Sequence, residues 1–148
     1  MTTSSKQKRA AARLLAVQAL YQFDMEGTKM PTLLDEFHRH RAGMEIDEAQ
    51  FAQAEITFFD DIVQGTVARR DEIDALISAR LTEGWSITRL DKTQLQILRA
   101  GVYELLARRD VPIGAVISEY LDVSHAFFDA RETKFVNGVL DAVAKDVR

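Results

Sequence analysis

Residues 91–109 read DKTQLQILRAGVYELLARR, and this stretch decides the fold class. Leu95, Leu98, Val102, Leu105 and Leu106 recur at intervals of three and four, the period of one face of an α-helix rather than the alternation of a strand. Asp91 stands three residues before Gln94, the order of a capping box, in which side chains satisfy the first free N–H groups of a helix. Arg108 and Arg109 close the run, where cations complement the negative end of the helix dipole.

The same reading extends in both directions. After the turn Asp110-Val111-Pro112, a helix is predicted over 113–128 with Val116, Ile117, Tyr120, Leu121 and Phe127 inward. Asp129 and Glu132 make a second capping box, and the last helix buries Phe135, Val136, Val139, Leu140, Val143 and Val147. Upstream, 82–90 with Gly84 and Trp85 is a connection, preceded by a helix carrying Ile73, Leu76, Ile77 and Leu81. A bend near 69–71 separates it from a long helix with Phe51, Phe59, Ile62, Val63 and Thr66 in register. A loop is expected at 43–47, and Pro31 opens a helix to 41 with Leu33, Leu34 and Phe37 on its apolar face. The first helix covers 7–23, with Leu14, Val17, Leu20 and Tyr21 as its stripe and Gly27 as its C-terminal cap. Residues 1–6 are expected to be a disordered tail. With two prolines, seven glycines and no stretch of period two, the chain is expected to be all-α: about seven helices in one domain, 1–148.

Composition narrows the function. Hydrophobic residues make up 47% and charged residues 28%, ordinary for a globular protein. No apolar run approaches the roughly 20 residues that span a bilayer, and the N-terminus lacks the apolar centre of a signal peptide. The absence of cysteine excludes disulfides and cysteine-ligated metals. These features fit the cytoplasm and predict no membrane contact. The net charge is −4, which argues against non-specific nucleic-acid binding, but Lys6, Lys8, Arg9 and Arg13 all precede the first acidic residue, Asp24. At about 100° per residue, Lys6, Arg9 and Arg13 share an arc of roughly 60° and Lys8 points elsewhere. Cations so placed can meet successive phosphates. Charge alone nevertheless favours a solvated helix start. Cations there oppose the dipole slightly, a small hint that something else selects them.

The remaining charged groups have structural explanations. His38 and His40 lie on different sides of a helix and are poorly placed to share a metal. Arg69-Arg70 and Arg108-Arg109 are read as helix-end cations, and His125 as a half-buried helix residue. No phosphate-cradling loop, dinucleotide fingerprint or nucleophile elbow occurs, so neither catalysis nor a cofactor or metal is expected.

Two segments carry a resemblance. Residues 134–141, KFVNGVLD, resemble the signature of NusB proteins, and 16–21, AVQALY, resemble their N-terminal segment. Between them Ile97-Leu98-Arg99, Tyr103-Glu104-Leu105 and Asp110-Val111-Pro112 match in order, so the likeness spans nearly the whole chain. Within the signature, Asn137-Gly138 would ordinarily mark a turn, yet the spacing around it is helical. A mid-helix glycine costs about 1 kcal/mol against alanine, so Gly138 is expected to admit another helix closely.

The resemblance implies a bundle in two packed parts and an RNA-binding N-terminal region. It implies an antitermination factor that recognises the boxA element of nascent rRNA transcripts with NusE, a small-subunit ribosomal protein, and joins RNA polymerase and other Nus factors. Onto this chain it carries RNA contacts at Lys6, Lys8, Arg9 and Arg13 of the basic segment, at Tyr21, and at Phe135. The chain departs from the family at Ala10 and Ala11, where further arginines are common, and at Gln94 and Arg131, where acidic residues occur. RNA affinity is therefore expected to depend more on the partner. Two alternatives stand beside this reading. One is a helical oligomerisation module, since some relatives self-associate and a homodimer would hide the basic helix. The other is a stand-alone relative of the N-terminal domain of rRNA cytosine methyltransferases, whose catalytic part needs a cysteine this chain lacks.

Overall fold

Helix propensity and apolar periodicity resolve into seven α-helices in the computed structural model, which describes residues 5–44 and 49–148, with side chains for 7–39 and 56–148. No strand occurs among the described residues. Helices α1 (Ser5–Glu26), α2 (Met30–Met44) and α3 (Ala49–Ala68) pack on one another. Helices α4 (Arg70–Ser78), α6 (Ile113–His125) and α7 (Ala130–Val147) gather around α5 (Lys92–Ala107), giving the second part of the bundle. Both α1 and α3 also lie against α5, so one apolar core runs through the two parts.

The central position of α5 explains its chemistry. Every residue from Gln94 to Leu105 is buried, including the polar side chains of Gln94, Gln96, Arg99 and Glu104, and buried polar groups require partners. Arg99 donates to both carboxylate oxygens of Asp74 at 2.8 Å, and Gln96 donates to Asp24 at 3.1 Å. Asp91 caps the helix by accepting from the N–H groups of Thr93 and Gln94 at 2.9 and 3.0 Å. Asp129 does the same for α7 with Arg131 and Glu132 at 2.9 and 3.4 Å. In each case the side chain of the N-cap residue makes the contact expected of a capping box.

Several expectations shift at the helix ends. Helix α1 begins at Ser5, inside the expected tail, of which residues 1–4 lie outside the described residues. Helix α2 runs through Gly43 to Met44, so the expected loop starts later; residues 45–48 and the side chain of Phe51 lie outside the described residues. Arg69 and Arg70 open α4 rather than close α3, Arg69 pairing bidentately with Glu72 at 2.9 and 3.1 Å. Helix α6 stops at His125, which is exposed rather than half-buried, and a short turn replaces the predicted helix over 126–128.

Glycine placement corrects a further expectation. A Cβ on Gly138 would meet nothing within 4 Å, whereas one on Gly101 would lie 2.9 Å from Leu140 and one on Gly65 only 2.1 Å from the Tyr103 ring. The close helix contacts therefore fall at Gly65 and Gly101, and Gly138 faces open space. Gly138→Ala is expected to raise stability by about 0.5–1 kcal/mol, since it removes backbone entropy without a clash. A fall in melting temperature for that variant would show a neighbour closer than the structure places it.

Candidate nucleic-acid interface

The expected cation row divides after its first turn. Arg13 is buried, with 3% of its surface exposed, on the face that α1 turns toward α5 and α6. Its Nε and Nη2 donate to the two carboxylate oxygens of Glu104 at 2.7 and 3.0 Å, and its Nη1 donates to Glu119 at 3.1 Å. The Tyr120 hydroxyl donates to Glu104 at 2.5 Å. Burial opposes the Arg13 charge, but the hydrogen bonds and charge of Glu104 outweigh it and hold the guanidinium above its ordinary pKa. Burial, reinforced by the Glu104 carboxylate, pushes the Tyr120 phenol well up. Arg13, expected as an RNA contact, is therefore buried and engaged within the protein rather than set out on the surface. A fully buried Glu104 carboxylate needs a cation, and Arg13 supplies it.

The outer cations are placed differently. The Arg9 guanidinium lies 4.6 Å from the centroid of the Phe58 ring, which Arg13 and Arg108 also approach at 5.0 and 5.1 Å. Arg9 and Lys8 are half-buried, at the outer end of α1. The Lys6 side chain lies outside the described residues.

Tyr21 and Phe135, the two aromatics expected at the interface, line neighbouring clefts on either side of the first turn of α5. Tyr21 is exposed and shares a cleft of about 250 Å³ with Val17, Gln18, Thr93 and Phe127. Phe135 lines a broader cleft of about 480 Å³ with Trp85, Leu90, Gln94, Gly138 and Val139, rimmed by Arg80 and Arg131. Thr93 and Gln94 are consecutive, so only the α5 terminus separates the two. From Arg9 to Tyr21 is twelve residues, about 18 Å of axial rise. Tyr21 and Phe135 thus line two separate clefts, one bordered by Thr93 and the other by Gln94, and Lys8 and Arg9 stand more than two helical turns along α1 from Tyr21.

Two residues of these clefts were not expected there. Phe127 is read as inward when the helix is continued to 128, but the Phe127 and Phe128 N–H groups both close on the Ser124 carbonyl at 3.0 and 2.8 Å, and the turn leaves Phe127 exposed. Trp85 lies in the connection before a single 3₁₀ turn, Ile87–Arg89, with the Arg89 guanidinium 5.9 Å from its ring centroid. Trp85 lines the same cleft as Leu90, Phe135 and Val139, and a contiguous exposed apolar patch, unlike a single exposed side chain, is a signal of binding. Arg131, Lys134 and Lys92 are exposed nearby and take no carboxylate partner among the described residues. No group of three metal-ligating side chains assembles among the described residues, and no helix there is long and apolar enough to cross a membrane.

Fold and site together define an all-helical binding protein with an aromatic, cation-rimmed surface. The model of the NusB family matches residues 10–145. Over 148 residues, and the whole of both chains, the sequence is 67% identical to the transcription antitermination protein NusB of Novosphingobium aromaticivorans. It is 62% identical over 142 residues to that of Sphingopyxis alaskensis, covering 96% of this chain and 95% of that one. Among solved structures, T. maritima NusB superposes with a TM-score of 0.79 at 29% identity, covering 99% of this chain and 94% of that one. A crystal structure of the antitermination factors NusB and NusE in complex with dsRNA gives 0.79 at 29% identity, covering 94% and 97%. The chain belongs to the NusB family: it is a transcription antitermination protein and not an enzyme.

Proposed function

We propose that this protein recognises the boxA element of nascent rRNA transcripts together with NusE, acting in the cytoplasm within an RNA polymerase complex that holds other Nus factors. The observation that carries this reading is the full-length likeness to a NusB solved with NusE and RNA. The surface fits the task. Unstacked bases of single-stranded RNA are recognised by aromatic stacking and edge contacts, and Tyr21 and Phe135 each line a cleft that borders the first turn of α5. Lys8 and Arg9 serve as phosphate contacts at the outer end of α1, with Lys6 beside them in sequence.

The same inventory explains why a partner is needed. Ala10 and Ala11 carry no charge and Arg13 is committed to Glu104 and Glu119, so α1 offers few cations to RNA. Each phosphate neutralised on a single strand contributes only about 0.7 to the salt slope of binding, so the isolated protein should bind weakly with a shallow slope. Titrating boxA RNA with and without NusE, at several salt concentrations, tests this. NusE is expected to raise affinity at least tenfold and to steepen the slope. Equal binding of boxA and a scrambled RNA in the presence of NusE would overturn the reading.

A further inference from the structure

We propose that a single ordered water bridges Thr66 on α3 to Asp24 on α1 and Gln96 on α5, completing the junction at which these three helices meet. Thr66 is 1% exposed, and its Oγ1 has no hydrogen-bond partner among the described residues. A hydroxyl shut off from solvent and left unpaired is destabilising, because it loses its bonds to water and gains none in return. A threonine inside a helix can meet this need by bonding back to the carbonyl one turn earlier, but this one does not. Valine would fill nearly the same space with no polar atom to satisfy. The hydroxyl therefore points to a partner beyond the side chains around it.

Such a partner has a place beside it. Thr66 lines a cavity of about 10 Å³ together with Leu20, Phe23, Asp24, Gln96 and Arg99. That volume matches the roughly 10–15 Å³ that holds one water, and it is too small for a larger ligand. A water held in this way needs about two to four polar partners, and the lining supplies them. The Thr66 hydroxyl can donate or accept. The Asp24 carboxylate receives Gln96 Nε2 at 3.1 Å and Arg99 Nη1 at 3.4 Å, while Arg70 comes no nearer than 3.7 Å. A carboxylate accepts at about four lone-pair positions, so Asp24 retains capacity for a further donor. Gln96, also 1% exposed, carries an amide oxygen as another acceptor. Two carboxylates, Asp24 and Asp74, balance two guanidinium groups, Arg70 and Arg99, so the site favours a neutral molecule over an ion. Asp24 stands three residues beyond Tyr21 on α1. The bridge therefore fixes the turn of α1 that follows Tyr21.

Crystals of the full chain grown in chloride, and again in bromide, test the site at a resolution that shows ordered water. One peak is expected about 2.6–3.2 Å from Thr66 Oγ1, at the same range from Asp24 or Gln96, and without anomalous signal in bromide. Thr66→Val should remove the peak and lower the melting temperature by about 2–6 °C, because Asp24 and Gln96 lose the bridging partner. The sign of that shift discriminates. If the hydroxyl were simply unpaired, valine would remove an orphaned polar group and the melting temperature would rise. Thr66→Ser keeps the hydroxyl and should keep the peak, which separates the polar atom from the shape of the side chain. The absence of a peak in the wild-type protein, or a higher melting temperature for Thr66→Val, overturns the proposal. A bromide signal at the site also overturns it, in favour of a bound anion.

Discussion

Arg13→Ala is expected to lower the melting temperature by the order of 10 °C. Removing one member of a buried, hydrogen-bonded ion pair costs about 3–5 kcal/mol, because the other charge is left in the interior without compensation. For a domain of this size each kcal/mol moves the midpoint by roughly 2–4 °C. Glu104 has no exposure at all, and its remaining partner in the cluster, the Tyr120 hydroxyl, is neutral. Glu119 loses the Nη1 contact at 3.1 Å as well. Arg13→Lys should recover only part of the loss, since an ammonium on a single stem cannot reproduce the planar fork that meets Glu104 with Nε and Nη2 while Nη1 serves Glu119. Replacing Arg13 and Glu104 together by apolar residues should cost less than replacing Arg13 alone, because no unpaired carboxylate remains at that position. Thermal melts of the three variants check the series. An unchanged midpoint for Arg13→Ala, accompanied by weaker RNA binding, would mean that the guanidinium turns out to the ligand instead.

This prediction reverses what residue order suggests, and the reversal shows where sequence reading stops. Caps at Asp91 and Asp129 are legible because a cap joins residues two and three apart, and the helical period of α5 is legible because it repeats locally. The Arg13–Glu104 contact joins residues 91 apart in the chain. Periodicity places Arg13 on the same side as Lys6 and Arg9, and nothing in it says that this side dips under α5 and α6 one turn after Arg9. Phe127 hides for a related reason. The run Ser124-His125-Ala126-Phe127-Phe128 contains no glycine or proline to mark the end of α6, so the apolar period carries through the turn and points Phe127 inward. The glycines show the same limit. A glycine inside a helix announces open space or a close neighbour without saying which, because the deciding atoms belong to another helix. Gly138, inside the most recognisable segment, faces a cleft, while Gly65 and Gly101 receive the close contacts.

Gly65→Ala is the second substitution with a large expected effect, a loss of about 2–3 kcal/mol, the upper part of the range for overpacking a core. A methyl group at this position would lie 2.1 Å from Cζ of Tyr103 and 2.3 Å from its hydroxyl oxygen, so the ring must leave. Rings can swing, but this one is held. Tyr103 is 6% exposed, and its hydroxyl donates to Asp61 at 2.6 Å. Burial, together with that hydrogen bond, pushes its pKa up to about 12. Moving the ring breaks the bond to Asp61, which also receives Arg108 at 3.2 Å, and separates α3 from α5 where the two parts of the bundle meet. The cost should therefore appear as coupling between two positions. In a Tyr103→Ala background the ring is absent and Gly65→Ala should become nearly neutral, or slightly stabilising through helix propensity. A double-mutant cycle on urea unfolding midpoints measures that coupling. If Gly65→Ala costs the same with and without the ring, the close approach of Tyr103 is not what requires glycine there.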